Sequence, residues 1–257
     1  MKNWLYIFML FVGLISCEKE TTTPSNTTDN TPKGRLVFHL HTFIGNSEVD
    51  AYDIEMNTPE GRKISINRAQ FYLTDIQLVK LDGSVYNVPS KGALKVFESE
   101  SVVIGDVNVG NYKSVRFKVG LIPSTNKLLP TAEGYNILLN QSEMWFGTMA
   151  KSDEYVFLNF AGQIDTTKAM NGVKVPFEYR IGGNDNIVEV IMPEQGLTIL
   201  EGQIGYGHMV IDYNKFFQNI DLTNADNLKV QSLDDNKKPI VSTLKTNIAS
   251  MFRYENE

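Results

Sequence analysis

Alternation of apolar and polar residues with a period of two dominates the chain from about residue 34 onward. In YKSVRFKVG, for example, Val115, Phe117 and Val119 alternate with polar residues. A β-strand directs successive side chains to opposite faces, so this pattern predicts a strand with one buried face.

Further runs of the same kind predict more strands, and turn-forming residues separate them. Asp82-Gly83, for example, predicts a tight hairpin turn between two runs. The other runs with strand character are RLVFHLHTFIG (35–45), KISINRAQFYLTDIQLVK (63–80), EYVFLNFAGQI (154–164), PFEYRIGG (176–183), NIVEVIMPE (186–194) and HMVIDY (208–213). Many short strands predict an all-β fold, here an antiparallel β-sandwich or barrel-like domain, rather than an α/β fold.

One segment near the C-terminus has helical spacing instead. In KPIVSTLKTNIASMFRYE, the apolar residues Ile240, Leu244, Ile248 and Phe252 recur every four positions. This spacing predicts a short amphipathic helix that closes the domain. We expect the β domain, with this C-terminal helical segment, to span residues 34–257.

The N-terminus predicts export and lipidation. Lys2 precedes an apolar run to Ile15, which is typical of a secretory signal peptide over residues 1–16. Leu14-Ile15-Ser16-Cys17 resembles the lipobox of bacterial lipoproteins, in which the lipids are attached to the cysteine. The alternative is an ordinary signal peptide with a chance cysteine, but Cys17 is the only cysteine of the chain, which favours acylation.

The expected consequence is a protein tethered to a membrane by its lipid. Residues 17–33 after the cut contain no aromatic or large aliphatic residue, so they predict a flexible tether. We expect an outer membrane lipoprotein that faces either the periplasm or the cell surface, with the membrane as its partner through the lipid anchor.

Composition and motifs exclude several functional classes. The net charge of −6 and the lack of any basic block argue against a nucleic-acid partner. The sequence contains no G-x-S-x-G, P-loop or H-E-x-x-H motif. We therefore expect a binding protein rather than an enzyme, with no catalytic residues.

Histidines are the candidate metal ligands. His39 and His41 lie two positions apart in a predicted strand and therefore share one face. Imidazole suits copper and zinc, while thioethers such as that of Met144, beside Trp145, select Cu(I). The alternative is that the histidines cover a half-buried face and the Met/Trp segment fills the core. His208, the third histidine, either joins this site from another strand or is an ordinary residue at a strand end.

Several phrases, in their order along residues 35–222, resemble the MbnP-like family of extracytoplasmic copper-binding proteins. They are LVFHLHTFIG, AQFYLTDIQLVKLDGSVYNV, VNVGNYKSVRFKVGL, EMWFG followed by EYVFLNFAG, FEYRIGG and HMVIDYNKFF. The resemblance implies a β-rich fold and copper held by two histidines and a tryptophan oxidised to kynurenine.

Carried onto this chain, the resemblance implies that His41 is the first-strand ligand and that Trp145 matches the tryptophan region. The chain departs from the family at Arg180, where many relatives have a histidine before the Ile-Gly-Gly turn. A guanidinium cannot ligate a metal. Either His39 replaces the missing ligand, or this branch has lost copper.

We therefore expect a lipid-anchored extracytoplasmic protein that binds copper for sequestration or delivery, with His39, His41, Trp145 and Met144 as candidate ligands. The alternative is a metal-free adhesion or assembly module that keeps the β fold but has lost the copper site.

The lipid anchor generates the first testable prediction. Cys17→Ala removes the only acylation site, so the protein should move from the membrane fraction to the soluble fraction of fractionated cells. Unchanged partitioning after this substitution would contradict the lipoprotein assignment.

Overall fold

The structure is a computed structural model that describes residues 31–49 and 51–255. The predicted signal peptide, Cys17 and nearly all of the predicted tether lie outside these residues. The first strand of the described residues begins at Lys33.

Strands dominate the described residues, as the period-two pattern predicts. They are β1 (Lys33–Ile44), β2 (Ser47–Glu48), β3 (Met56–Asn57), β4 (Lys63–Lys80), β5 (Val85–Asn87), β6 (Ala93–Lys95), β7 (Ser101–Asn108), β8 (Gly110–Val119), β9 (Val156–Asp165), β10 (Lys174–Gly182), β11 (Val188–Ile191), β12 (Leu197–Ile199), β13 (Ile204–Asp212), β14 (Lys229–Val230) and β15 (Phe252–Tyr254). The α-helices are α1 (Pro123–Asn126), α2 (Asn136–Leu139) and α3 (Pro239–Ser250). Short 3-10 helices cover Ser142–Met144, Asn184–Asn186, Tyr213–Phe217, Ala225–Leu228 and Asp235–Lys237.

The strands form two sheets that curl into a half-barrel. The first sheet has the order β15-β13-β1-β2, with β7 also paired to β1. The second has the order β11-β8-β4-β9-β10-β14, with short strands added to β4 and β8. The predicted all-β class is confirmed, although two pairings, β1 with β13 and β10 with β14, are parallel rather than antiparallel.

The main hydrophobic core contains side chains from one face of each sheet. From β1 it takes Phe38 and Leu40, which are 0% and 1% exposed, and from β4 it takes Phe71 and Leu73. Tyr72, between these last two, belongs to a separate, smaller cluster. Because side chains alternate along a strand, this smaller cluster lies on the outer face of the second sheet, with the sheet between it and the main core.

The predicted hairpin turn and the predicted C-terminal helix are both present, with one difference at the end of the helix. Gly83 has a φ of 86° and donates its backbone N–H to the Lys80 carbonyl over 2.9 Å, which confirms the hairpin turn. Leu244 and Ile248 are buried on α3, as predicted. Phe252, however, does not continue the helix but lies on β15, where it pairs with Ile211 of β13. The every-four spacing extends past the helix end because both segments bury apolar residues in the same core.

No helix in the described part of the chain is long and apolar enough to cross a lipid bilayer.

An aromatic cluster fills the centre of the main core. The Phe160 ring stacks on Tyr213 with centroids 4.7 Å apart and lies 4.8 Å from Phe216 and 5.2 Å from Phe177. Such ring pairs add to the stabilisation that burial of their apolar surface provides.

Phe160→Ala should therefore lower the free energy of unfolding by about 3–5 kcal/mol, because it leaves a cavity at this centre. Equilibrium urea unfolding measures the loss. Val173→Ala, at a side chain 85% exposed, is the control and should change stability by no more than about 0.5 kcal/mol. Equal effects of the two substitutions would contradict this description of the core.

Candidate metal site

His39 and His41 lie side by side on the outer face of the first sheet. Their neighbours in β1, Phe38 and Leu40, point into the core, so alternation directs both imidazoles outward. The two rings have centroids 4.4 Å apart. The shared face is the one that the sequence predicts.

His208 joins them through the parallel pairing of β1 with β13. In this register His39 lies opposite His208, and their Nδ1 atoms are 3.3 Å apart. One ring nitrogen from each of the three histidines lies within 4.8 Å of the other two. Of the two alternatives for His208, the structure therefore supports convergence with the other histidines.

Three glutamates surround the histidines, and each comes from a flanking strand or its end. Glu48 lies on β2, Glu100 lies just before β7, and Glu255 follows β15. Glu48 Oε1 is 2.6 Å from His41 Nδ1, and Glu100 Oε2 is 3.0 Å from His39 Nε2. We name the three histidines and three glutamates the histidine–carboxylate cluster.

These carboxylates determine which ring nitrogens are free to bind an ion. A carboxylate only accepts hydrogen bonds, so His41 donates its Nδ1–H to Glu48 and His39 donates its Nε2–H to Glu100. The lone pairs then remain on His41 Nε2 and His39 Nδ1. This is the usual arrangement of metal-binding histidines, whose second nitrogen is held by a carboxylate.

The spacing of the nitrogens fits one ion. Two nitrogens that bind a tetrahedral ion at about 2.0–2.1 Å are separated by about 3.3 Å. The Nδ1 atoms of His39 and His208 have this separation. The residues present therefore fit a copper or zinc ion at His39 and His208, with a ring nitrogen of His41 within 4.8 Å of both.

Access to the cluster is from solvent. The side chains of His39, His41 and His208 are 25%, 17% and 45% exposed. A cavity of about 100 Å³ adjoins His208 and Glu255, which leaves room for a water molecule or an exchanging ligand on that side.

Met144 and Trp145 lie elsewhere. Met144 is fully buried in the smaller cluster with Tyr72, and Trp145 donates its indole N–H to the Leu139 carbonyl over 3.1 Å. The smaller cluster packs on the second sheet, whereas the histidines lie on the outer face of the first sheet. Among the described residues, no contact joins Met144 or Trp145 to a histidine, so the structure does not bring these two candidates together with the three imidazoles.

Arg180 also belongs to the second sheet. Its guanidinium donates a hydrogen bond to the Trp145 carbonyl and lies 5.8 Å from the centroid of the Phe146 ring. Partial burial lowers the pKa of Arg180. Its charge therefore does not face the histidines, and it does not oppose a cation bound there.

The glutamates of the cluster were not identified from the sequence. Glu100 and Glu255 are distant in sequence from the histidines and reach them only through strand pairing. A signal did exist for Glu48, because a turn at Gly45-Asn46 brings the chain back beside β1, where Glu48 pairs with Phe43.

Comparisons with known proteins agree with this fold. The family model described as MbnP matches residues 33–234 of the chain. The solved structure of MbnP from Methylosinus trichosporium aligns with a TM-score of 0.54 at 13% sequence identity, over 81% of this chain and 87% of that chain. At this identity the likeness shows the fold. No curated protein matches the chain.

Proposed function

The chain belongs to the MbnP family, and on this premise we propose that it binds copper at His39, His41 and His208. The observation that carries the proposal is the convergence of three imidazoles from two paired strands on one open face. Copper is a preferred metal of imidazole ligands, and the MbnP family is linked to copper.

The proposed role is sequestration or delivery of the ion at the outer membrane, with no catalytic turnover. Solvent access to His208 supports exchange of the ion with a donor or acceptor. Anchoring through lipidated Cys17 would hold the domain at the membrane.

A metal-free assembly module is the second candidate, and one observation favours it. Each histidine already has a glutamate within ion-pair distance, at 2.6 to 3.7 Å. These hydrogen bonds and ion pairs connect the histidines to the flanking strands without any metal, which would give the cluster a structural role.

Copper stoichiometry separates the two candidates. The wild-type domain should bind one copper ion per chain, and the His39→Ala/His41→Ala variant should bind almost none, because two of three ligands are lost. Trp145→Phe, on the second sheet, is the matched control and should bind as the wild type does. The measurement is copper per chain after dialysis, with circular dichroism to confirm folding.

Two outcomes would contradict the proposal. A wild-type domain that retains no copper would favour the metal-free module. If the histidine variant binds copper fully and Trp145→Phe loses copper binding, the copper site lies on the second sheet instead.

A further inference from the structure

We infer that Glu255 supplies a fourth, oxygen ligand to this site, that Glu48 and Glu100 position the imidazoles, and that the ion preferred is divalent, Cu(II) before Zn(II), rather than Cu(I). This inference rests on the proposed function, which it deepens by naming the oxidation state of the ion.

The geometry of Glu255 supports its role as a ligand. Its Oε2 is 3.7 Å from His41 Nε2 and 3.7 Å from His208 Nδ1. His41 Nε2 is a nitrogen that carries a lone pair once Glu48 has accepted the Nδ1–H. The same oxygen therefore lies beside ring nitrogens of two histidines, as a further ligand of one ion would.

The position of Glu255 follows from the strand pairing. β15 runs antiparallel to β13, with Tyr254 opposite Met209, so the next residue reaches His208. The backbone N–H of Glu255 donates to the His208 carbonyl over 3.4 Å. Among the residues that the structure describes, no lysine or arginine forms an ion pair with Glu255, so its carboxylate is available to a cation.

Glu48 and Glu100 contact the imidazoles and not the ion. Each accepts the N–H of the ring nitrogen that faces away from the site, which fixes the tautomer and the orientation of His41 and His39. A carboxylate partner also makes an imidazole a stronger donor to a metal. These two residues are therefore positioning residues, not ligands.

The donor set determines which ion is preferred. Cu(I) favours soft sulfur donors, whereas Cu(II) and Zn(II) accept imidazole nitrogen and carboxylate oxygen. Met209, next to His208 in sequence, is fully buried in the main core on the opposite face of β13, and Met144 packs on the second sheet. Three imidazoles, one carboxylate ligand and two adjacent carboxylates therefore suit a doubly charged ion.

Divalent copper also ranks above zinc for a site of this type, because affinities of nitrogen and oxygen sites peak at Cu(II) in the series of divalent metals. The order expected is therefore Cu(II) first and Zn(II) second.

The test compares binding of Cu(II), Zn(II) and Cu(I) by the purified domain and its Glu255→Gln variant. Titration against competing chelators measures each affinity, with Cu(I) handled under anaerobic reducing conditions. Glu255→Gln should lower the Cu(II) affinity by about 10–100-fold and the Zn(II) affinity likewise, and should change the Cu(I) affinity less than about threefold. The Cu(II) form of the wild type should give an electron paramagnetic resonance spectrum with nitrogen hyperfine structure, which Glu255→Gln should alter.

Glu133→Gln, at an exposed glutamate remote in sequence from the cluster, is the matched control and should change none of these values. Glu48→Gln and Glu100→Gln should each weaken Cu(II) binding without removing the nitrogen hyperfine structure. Urea unfolding of each variant separates loss of a ligand from loss of the fold.

The outcomes distinguish this inference from the proposed function. A wild type that binds Cu(I) alone, or a Glu255→Gln variant with unchanged Cu(II) affinity, would overturn the oxygen ligand while leaving the histidine site in place. A wild type that binds none of the three ions would overturn both.

Discussion

The parallel pairing of β1 with β13 is the constraint on which the rest of the site depends. Both strands bury one face in the main core, through residues such as Phe38 and Leu40 on β1 and Met209 and Ile211 on β13. Because side chains alternate, burial of these residues also determines which side chains point outward. A slip of one residue would exchange the faces and bury the imidazoles. Core packing therefore keeps His39 paired with His208 across the two strands.

The flanking strands add the three glutamates to the histidines that this pairing brings together. On one side, β2 and the start of β7 place Glu48 and Glu100 beside β1, and on the other side β15 places Glu255 beside β13. Each carboxylate comes from a different segment, and each lies beside the imidazoles on or next to a strand that flanks β1 or β13. The cluster is therefore a property of the whole sheet, and the amphipathic helix α3 contributes to it by leading the chain into β15.

The sequence predicts the local part of this arrangement and not the long-range part. Alternation in β1 is enough to place His39 and His41 on one face, and the period-two runs are enough to predict the fold class. His208 is 169 residues from His39, and nothing in either strand indicates a parallel partner at that distance. The helical spacing up to Phe252 also conceals β15, because helix and strand bury their apolar residues in the same core. Without β15, no pattern points to Glu255.

Candidate ligands that the sequence suggests together need not lie at one site, as the second sheet shows. Met144 and Trp145 pack against the outer face of that sheet, where Arg180 binds the Trp145 carbonyl. The positions that the family resemblance connects with copper thus fall on two different sheets. The histidine face offers imidazole nitrogens and carboxylates as candidate ligands with solvent access, whereas the tryptophan face carries the Arg180 guanidinium.

The central claim is that metal binds on the histidine face, and anomalous X-ray diffraction from crystals of the copper-loaded domain tests it most directly. The account predicts an anomalous peak at the copper edge within bonding distance of His39, His41 and His208, with Glu255 turned toward it. A peak beside Trp145 with none at the histidines, or no peak in crystals grown with copper, would contradict it.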